Sequence, residues 1–522
     1  MNEEILKDIR ERGLLLEKEI FDLLASFSDI VVARELLTSL EQSAGQKFIT
    51  KSVLSKNVEY IKKVVNQLPG ENKDSVESVF VRLGISLEVH KEREVREIKE
   101  LAASKATQYQ VYYADTKATK KLEVGDFTGN FRARYQQLQR ILMQRADLTN
   151  LTSINKISSD RQSLSIIGMV KEKRVTKNKN MIISFEDLTG EIGGMIKMDK
   201  PELFAKAQEL QLDDVVGIKA SGNKDLLFVH ELYFPDSIIE NKMRFDDDAC
   251  IAFLSDVHAG SKKHLPKSFS RFLEWINGND SLALKIRYIF FLGDNVDGVG
   301  IFPGQEHLLA LKSMKEQYDL LASYLKQIPK RINIFMCPGQ HDACRVAEPQ
   351  PIIDRKYASA LYELENLTLV TNPALVKLIE GKKEFNILMY HGASLHSFIN
   401  EIAELREQKA NLHPAKAVKH ILKRRHLAPT HSSVIYIPSM EKDPLVISEV
   451  PDVMCTGDMH RCDIDIYNGV LIITGSCWQS QTDFEEKVGN VPDPAKVSVL
   501  NLKTRELNIL DFLDSEEAVN GN

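Results

Sequence analysis

The chain has 522 residues, with 68 Lys and Arg against 74 Asp and Glu, a formal net charge of −6, 43% hydrophobic and 27% charged residues. At roughly 100–200 residues per domain this length calls for two to four units, and the composition excludes wholesale disorder, a fibrous repeat or a coiled-coil rod. The charge balance offers no global basic field for nucleic acid, so any such contact is local, and no apolar run approaches the roughly 18–20 residues that span a bilayer.

The N-terminus, Asn2-Glu3-Glu4, lacks the basic stretch, apolar core and small-residue site of an export signal, which predicts a cytoplasmic protein. From Glu3 to Phe27, Ile5, Ile9, Leu16, Ile20, Leu23 and Leu24 recur at helical spacing, and an amphipathic helix is expected. Shorter helices separated by turn-like clusters at 42–45 and 69–72 complete a helical module over 1–87. Residues 88–129, dominated by Glu, Lys, Thr and Gln, read as a charged linker.

A helix rich in Arg and Gln, about 130–147, leads a domain over 130–240. Within it alternating strands are predicted at Ser163 to Val170, Lys179 to Glu186, Glu191 to Met198, Asp214 to Ala220 and Asp225 to Tyr233. A helix from Asp199 to Leu212, with Pro201 in its first turn, separates the third strand from the fourth. That order matches an OB-type β-barrel. Phe185 and Phe228, its main strand aromatics, are both expected to face inward, so the barrel reads as structural rather than as a stacking platform for single strands.

Over 241–510 buried strands alternate with helices, for instance Cys250 to Ser255, Ile286 to Leu292, Arg331 to Cys337 and Asn386 to Tyr390, which is an α/β pattern. The acidic tail 511–522 is expected to fray. The six cysteines read as reduced, buried thiols, and the six-residue gaps Cys337/Cys344 and Cys455/Cys462 leave a structural zinc site as the lesser alternative.

Five blocks each follow a predicted strand: Ser255-Asp256-Val257-His258, Gly293-Asp294-Asn295-Val296-Asp297-Gly298, Pro338-Gly339-Gln340-His341-Asp342, Tyr390-His391-Gly392 and Gly457-Asp458-Met459-His460. A centre of two cations about 3.5–4 Å apart needs several carboxylate and imidazole ligands, one carboxylate being shared. Loops at strand ends can bring such residues together, and glycines beside them admit close backbone approach. Unrelated turns ending in polar residues would explain one such block, but not all of them in order.

These ordered blocks resemble the calcineurin-like metallophosphoesterase superfamily. The flanking Ala347-Glu348-Pro349-Gln350-Pro351, Arg425-His426-Leu427-Ala428-Pro429 and Trp478-Gln479-Ser480-Gln481-Thr482 resemble, over roughly 130–505, the small subunit of the archaeal D-family DNA polymerase. The resemblance implies a multidomain chain in which a helical module, an OB-type barrel and a layered α/β phosphoesterase domain follow one another. It also implies a proofreading 3′-to-5′ exonuclease acting on single-stranded or mispaired DNA ends. The implied partners are a large catalytic subunit and a sliding clamp, and the implied cofactors are two divalent metal ions, Mn ahead of Mg, Fe or Zn.

By motif position Asp256, His258 and His460 would hold the first metal, Asp294 would bridge, and His391, Gln340 and Asp458 would hold the second. His341 would be the catalytic residue at the scissile phosphate. Gln340 stands where the superfamily has Asn and Asp458 where it has His, changes that favour harder cations. Asp297, also assigned to the catalytic set, reads equally as a support or as a turn residue before Gly298, and Asp342 is expected to orient His341. Lys416, Lys419, Lys423, Arg424 and Arg425 form a basic cluster on a predicted helix, read as a DNA-backbone contact or a solvated face. A scaffold subunit without turnover is the alternative function, and a stand-alone phosphatase or cyclic-nucleotide phosphodiesterase ranks last.

Overall fold

A computed structural model describes residues 2–25, scattered positions between 30 and 49, residues 108–116 and residues 121–520. The chain divides into two compact units: one comprises Met1–Ser104, Gly278–Lys285 and Glu506–Asp511, and the other takes the remainder.

In the first unit Asn2–Glu11 and Lys18–Ala25 are helices. The single helix expected from Glu3 to Phe27 is interrupted at Gly13, whose φ of +64° costs glycine little. Gly13 N–H donates to Arg10 O and Leu14 N–H to Ile9 O, both at 3.0 Å, which closes the first helix. Leu15–Leu16 then pairs in parallel with Phe48–Ile49, while Ile5, Ile9, Ile20 and Leu24 are buried. The rest of the expected helical module, from 50 through 87, lies outside the described residues.

The second unit opens with strand β1, Gln108–Tyr113, and helix α1, Val124–Leu142. Both fall at least partly within the stretch expected to be linker. β1 is ordered because Tyr109 and Val111 alternate toward the protein, the Tyr109 ring meeting Phe335 edge-on at 4.8 Å. α1 starts at 124 rather than 130 because Glu123 and Asp126 form a reciprocal capping box, satisfying two otherwise orphaned N–H groups.

β2 (Gln162–Val175), β3 (Met181–Glu186), β4 (Glu191–Ile196), β5 (Val215–Gly222) and β6 (Leu227–Tyr233) close a barrel in the order β2-β3-β4-β6-β5. α2, Pro201–Gln208, lies between the third and fourth of these strands. The interior is filled by Ile166, Ile183, Phe185, Ile196, Val216 and Ile218, each worth about 1.5–3 kcal/mol on full burial. At Gly194 a Cβ would press into the Phe185 ring at 2.7 Å. Phe228 departs from expectation: buried Leu227 and Val229 flank it, strand alternation turns it to the outer face, and the Arg161 guanidinium lies 5.8 Å from its ring centroid.

The α/β portion contains β7 (Cys250–Leu254), β8 (Ile286–Leu292), β9 (Asn333–Cys337), β10 (Leu367–Leu369), β11 (Ala374–Glu380), β12 (Lys383–Met389), β13 (Val453–Thr456), β14 (Asp463–Tyr467), β15 (Val470–Thr474) and β16 (Lys496–Asn501). One sheet runs β10-β9-β8-β7-β16, parallel except for β16. The other runs β14-β15-β13-β12-β11-β1, with β12, β13 and β15 parallel. The sheets face each other, as the Tyr109–Phe335 contact and the 3.1 Å hydrogen bond between Tyr109 Oη and Thr368 Oγ1 require. Strands buried on both faces explain the unbroken apolar runs.

Helices α3 (Pro266–Asn277), α4 (Met314–Leu325), α5 (Leu395–Glu401), α6 (Ala415–Arg424) and α7 (Asp483–Val488) surround these sheets. Within the acidic tail Ser515–Asn520 forms helix α8 rather than fraying, and 521–522 lie outside the described residues. Glu517 caps the start of α3, accepting from Lys267 N–H and Ser268 N–H at 2.9 Å and from Ser268 Oγ at 2.6 Å. A carboxylate at a helix N-terminus is favoured by orphan N–H groups and the helix dipole alike. Among the described residues no helix is long and apolar enough to cross a membrane.

Candidate metal centre

All five blocks sit just beyond the C-terminal ends of parallel strands drawn from both sheets: β7, β8 and β9 from one, β12 and β13 from the other. Open α/β sheets bind ligands at such ends. Asp256, His258, Asp294, Asp458 and His460 all have positive φ, from +47° to +67°, a region that non-glycine residues seldom occupy and that concentrates at functional sites. The backbone approaches closely as well: a Cβ at Gly339 would collide with the Asp294 carboxylate and the His391 ring.

The side chains converge. Asp256, His258 and His460 offer ligand atoms within 4.8 Å of one another, as do Asp256, Asp294 and His391, and also His258, Asp297 and His341. Asp256 and His258 are therefore shared between groups. His258 Nε2 lies 3.2 Å from His460 Nε2, and His460 Nε2 lies 3.6 Å from Asp256 Oδ1. His391 Nε2 lies 3.4 Å from Asp294 Oδ2 and 3.8 Å from Asp458 Oδ1.

Each imidazole is anchored through Nδ1. His258 Nδ1 meets Asp297 Oδ1 at 3.1 Å, His341 Nδ1 meets Asp297 O at 2.7 Å, His391 Nδ1 meets Leu292 O at 2.7 Å, and His460 Nδ1 meets Glu485 Oε1 at 2.8 Å. With oxygen acceptors on that side, the proton belongs on Nδ1 and the Nε2 lone pair faces the centre, as in metal-binding histidines. Three buried atoms of these blocks make no hydrogen bond: Gln340 Oε1, His391 Nε2 and Asp458 Oδ2, the last 3.6 Å from His396 Nε2. Leaving such atoms unpaired is costly; donors of this oxygen and nitrogen chemistry fit divalent cations.

Electrostatics point the same way. Burial disfavours the charge on Asp294, yet the facing His391 and His341 rings outweigh it and hold its carboxyl well below the usual range. Burial disfavours a cationic His391, but Asp294, with Asp256 and Asp458 behind it, raises its pKa well above the usual imidazole value. The clustered carboxylates thus create a site that favours positive charge.

Two expectations need correction. Asp342 does not orient His341: its Oδ2 accepts from Asn295 N–H, Asn295 Nδ2 and Gly339 N–H, and its Oδ1 from Tyr318 Oη at 2.8 Å. Its lone pairs are spent on bracing the loops after β8 and β9. The basic cluster does not form a free face. Arg424 and Arg425 are only 2% and 7% exposed. Arg424 pairs with buried Asp214 at 2.9 Å, and Arg425 donates to Ile447 O and Ser448 O. Lys423 is paired with Glu209, Lys419 with Asp465, and Lys416 donates to Gln408 O. The amphipathic pattern buries one side of α6, and Arg424 lies on that side.

Glu485 and Asn372 escaped the sequence reading, and Gln479 entered it only as part of a flanking motif, without a role. Asn372 Oδ1 accepts from His391 N–H at 2.9 Å, and Gln479 Nε2 bridges Ser261 Oγ and Asp297 Oδ1. Thr482-x-x-Glu485 is a capping box at the start of α7, a pattern visible in sequence, but nothing local ties it to His460. The cysteines are free thiols, Cys344 and Cys462 partly exposed and the others buried, and among the described residues none belongs to a metal-holding group.

Residues 251–463 match the DNA polymerase alpha/epsilon B-subunit family. The DNA polymerase II small subunit of Methanothermobacter thermautotrophicus is 37% identical over 387 residues, covering 73% of this chain and 78% of the relative. That of Pyrococcus furiosus is 34% identical over 394 residues, and the match spans 63% of the relative's length. A solved archaeal phosphodiesterase aligns with 50% of this chain and 98% of its own at 14% identity, with a TM-score of 0.25. With matching sequence over most of the Methanothermobacter subunit's length, the chain belongs to the family of archaeal DNA polymerase II small subunits.

Proposed function

We propose that this chain is the small subunit of a D-family replicative polymerase and carries a metal-dependent 3′-to-5′ exonuclease for DNA ends, working with a large catalytic subunit. The observation that carries the reading is the convergence of Asp256, His258 and His460, and of Asp256, Asp294 and His391, each within 4.8 Å, with the buried Gln340 Oε1, His391 Nε2 and Asp458 Oδ2 left without a hydrogen bond. The order of the barrel strands and of α2 supports an OB-type domain near 130–240, and the paired sheets support a phosphoesterase domain over 241–510.

Asp256, His258 and His460 would hold one cation, Gln340, His391 and Asp458 the other, with Asp294 between them. When bound, two such cations neutralise phosphate charge and lower the pKa of a water molecule. Asp297 fixes the direction of the His258 ring through Oδ1 and of the His341 ring through its carbonyl oxygen. His341 is partly exposed at the rim, with Nε2 3.9 Å from Asp294 Oδ2. From there it can hold a proton at Nε2 for the leaving 3′-oxygen, the role of a general acid. Asp458, an anion in place of an imidazole, favours Mn or Mg over softer ions.

The test is Mn-dependent digestion of a 5′-labelled single-stranded oligonucleotide by the purified chain, alone and with the large subunit. Stepwise shortening from the 3′ end that vanishes in Asp294→Ala is the expected result. The second reading, a scaffold without turnover, is favoured by the Gln340 and Asp458 departures and would be established by no digestion in either setting.

A further inference from the structure

Asp458 is held firmly through its backbone and loosely through its side chain. Its N–H donates to both oxygens of Asp256, at 3.2 and 3.3 Å, and its Oδ1 lies 3.8 Å from His391 Nε2. The other oxygen, Oδ2, makes no hydrogen bond although it is buried, a costly condition for a carboxylate. His396 stands over that oxygen with Nε2 3.6 Å away; its side chain is 55% exposed, against 11% for Asp458. Among the described residues the His396 ring has no other hydrogen-bond or ion-pair partner.

The fold brings this imidazole to Asp458 and leaves only its side chain free to turn. Gly457 N–H donates to His391 O at 2.7 Å, which joins the loops after β12 and β13. Gly392, at φ +126°, admits the approach: a Cβ there would sit 3.1 Å from Gly457 O and 3.2 Å from Asp458 Cβ. Ser394, just before α5, is tied down at both ends, its Oγ donating to Leu427 O at 2.5 Å and its N–H to Tyr390 Oη at 3.2 Å. Leu395, Phe398 and Ile399 bury the inner face of α5, so the backbone at His396 is fixed while the ring remains in solvent.

A histidine beside a carboxylate on an open surface contributes little. Here one partner is buried and belongs to the candidate ligand set, and hydrogen bonds to ligating carboxylates orient them as those to ligating imidazoles do. An exposed side chain turns on a fast timescale, and a small turn of the ring shortens 3.6 Å to hydrogen-bond length. We propose that His396 is a positioning residue for the second cation: its Nε2–H donates to Asp458 Oδ2 and keeps Oδ1 directed toward the side of His391. A neutral imidazole with its proton on Nε2 suffices, so the role calls for no change of charge. The inference rests on the metal-centre reading above and adds to it a residue outside the five blocks.

The experiment titrates Mn into the full chain by calorimetry, with thermal melting to verify that each variant folds. The unaltered chain is expected to take up two ions. His396→Ala should weaken one of them about ten-fold, as loss of such outer partners typically does, and leave the other unchanged. His396→Gln, whose side-chain N–H takes the place of Nε2–H, should recover most of that affinity. Asp458→Asn should weaken the same ion, and adding His396→Ala to it should weaken it no further, because the carboxylate through which the ring acts is gone. Unchanged affinity for both ions in His396→Ala overturns the proposal, as does an equal loss in His396→Ala and His396→Gln. A full further loss on the Asp458→Asn background also overturns it, by making the ring act on the ion directly. A chain that binds no Mn overturns the metal-centre reading and the proposal with it, whereas two ions bound regardless of His396 overturn the proposal alone.

Discussion

Glu485 accepts a 2.8 Å hydrogen bond from His460 Nδ1 with one oxygen, while its other oxygen accepts from Thr482 N–H and Oγ1 at the start of α7. One carboxylate thus fixes both the helix start and the direction of the imidazole. Partners of ligating histidines typically contribute 10–100-fold in metal affinity. Glu485→Ala is expected to weaken Mn binding by about that factor in calorimetry, and Glu485→Gln, which keeps an oxygen acceptor, by less. Unchanged Mn affinity in Glu485→Ala would remove His460 from the ligand set.

The α6 cations make a contrary case, in which a basic cluster serves packing. Removing one member of a buried ion pair costs about 3–5 kcal/mol because the partner charge is left stranded. Arg424→Ala should therefore lower chemical stability by about that amount, by exposing the burial cost of Asp214. Lys416→Ala and Lys419→Ala should leave both oligonucleotide affinity and its salt dependence unchanged in anisotropy titrations. A flattened salt slope in either lysine variant would restore the DNA-contact reading.

What the sequence made legible follows from how local each signal is. Alternation over residues 163–233 and the apolar runs of β7, β8 and β9 identify strands, because burial on one or both faces writes directly into residue order. The five Asp- and His-bearing blocks were legible because each lies next to its own strand end. Tyr109 and Phe228 were not. The partner strand of β1 lies more than 250 residues away at Ala374–Ile379, and the outward turn of Phe228 depends on a one-residue choice of register. Glu485 and Asp297 were hard to place for the same reason, since their roles appear only when loops distant in sequence meet over one imidazole.

A second buried network ties α1 to the segment after α6. Asp443 Oδ2 accepts from Arg134 Nε at 2.8 Å, from Asn130 Nδ2 at 3.2 Å and from His426 Nε2 at 3.0 Å. Burial opposes the Asp443 charge, but His426 and Arg134 hold its carboxyl well below the usual range. Arg134→Ala should cost about 3–5 kcal/mol in denaturant unfolding. Replacing Arg134 and Asp443 together, by Met and Leu, should recover much of that loss. A double variant no more stable than Arg134→Ala would show that the pair is held by shape rather than by charge.

Glu348 supplies the pH dependence that can be tested without any metal. It is fully buried, with Oε2 3.2 Å from Tyr390 Oη and Oε1 unpaired. Burial pushes its pKa from 4.5 up to about 8, with Tyr390 opposing the rise. The folded chain therefore retains a proton that the unfolded chain releases above about pH 4.5. Stability from this group is complete below that pH and declines as pH rises toward 8, since the unfolded state binds fewer protons throughout the window. Glu348→Gln removes the titration while keeping an oxygen for Tyr390. Melting temperatures of the two proteins should diverge steadily from pH 5 to pH 8, with the variant the more stable at the alkaline end. Parallel melting curves across that range would mean that Glu348 is ionised in the folded protein and finds a cationic partner there.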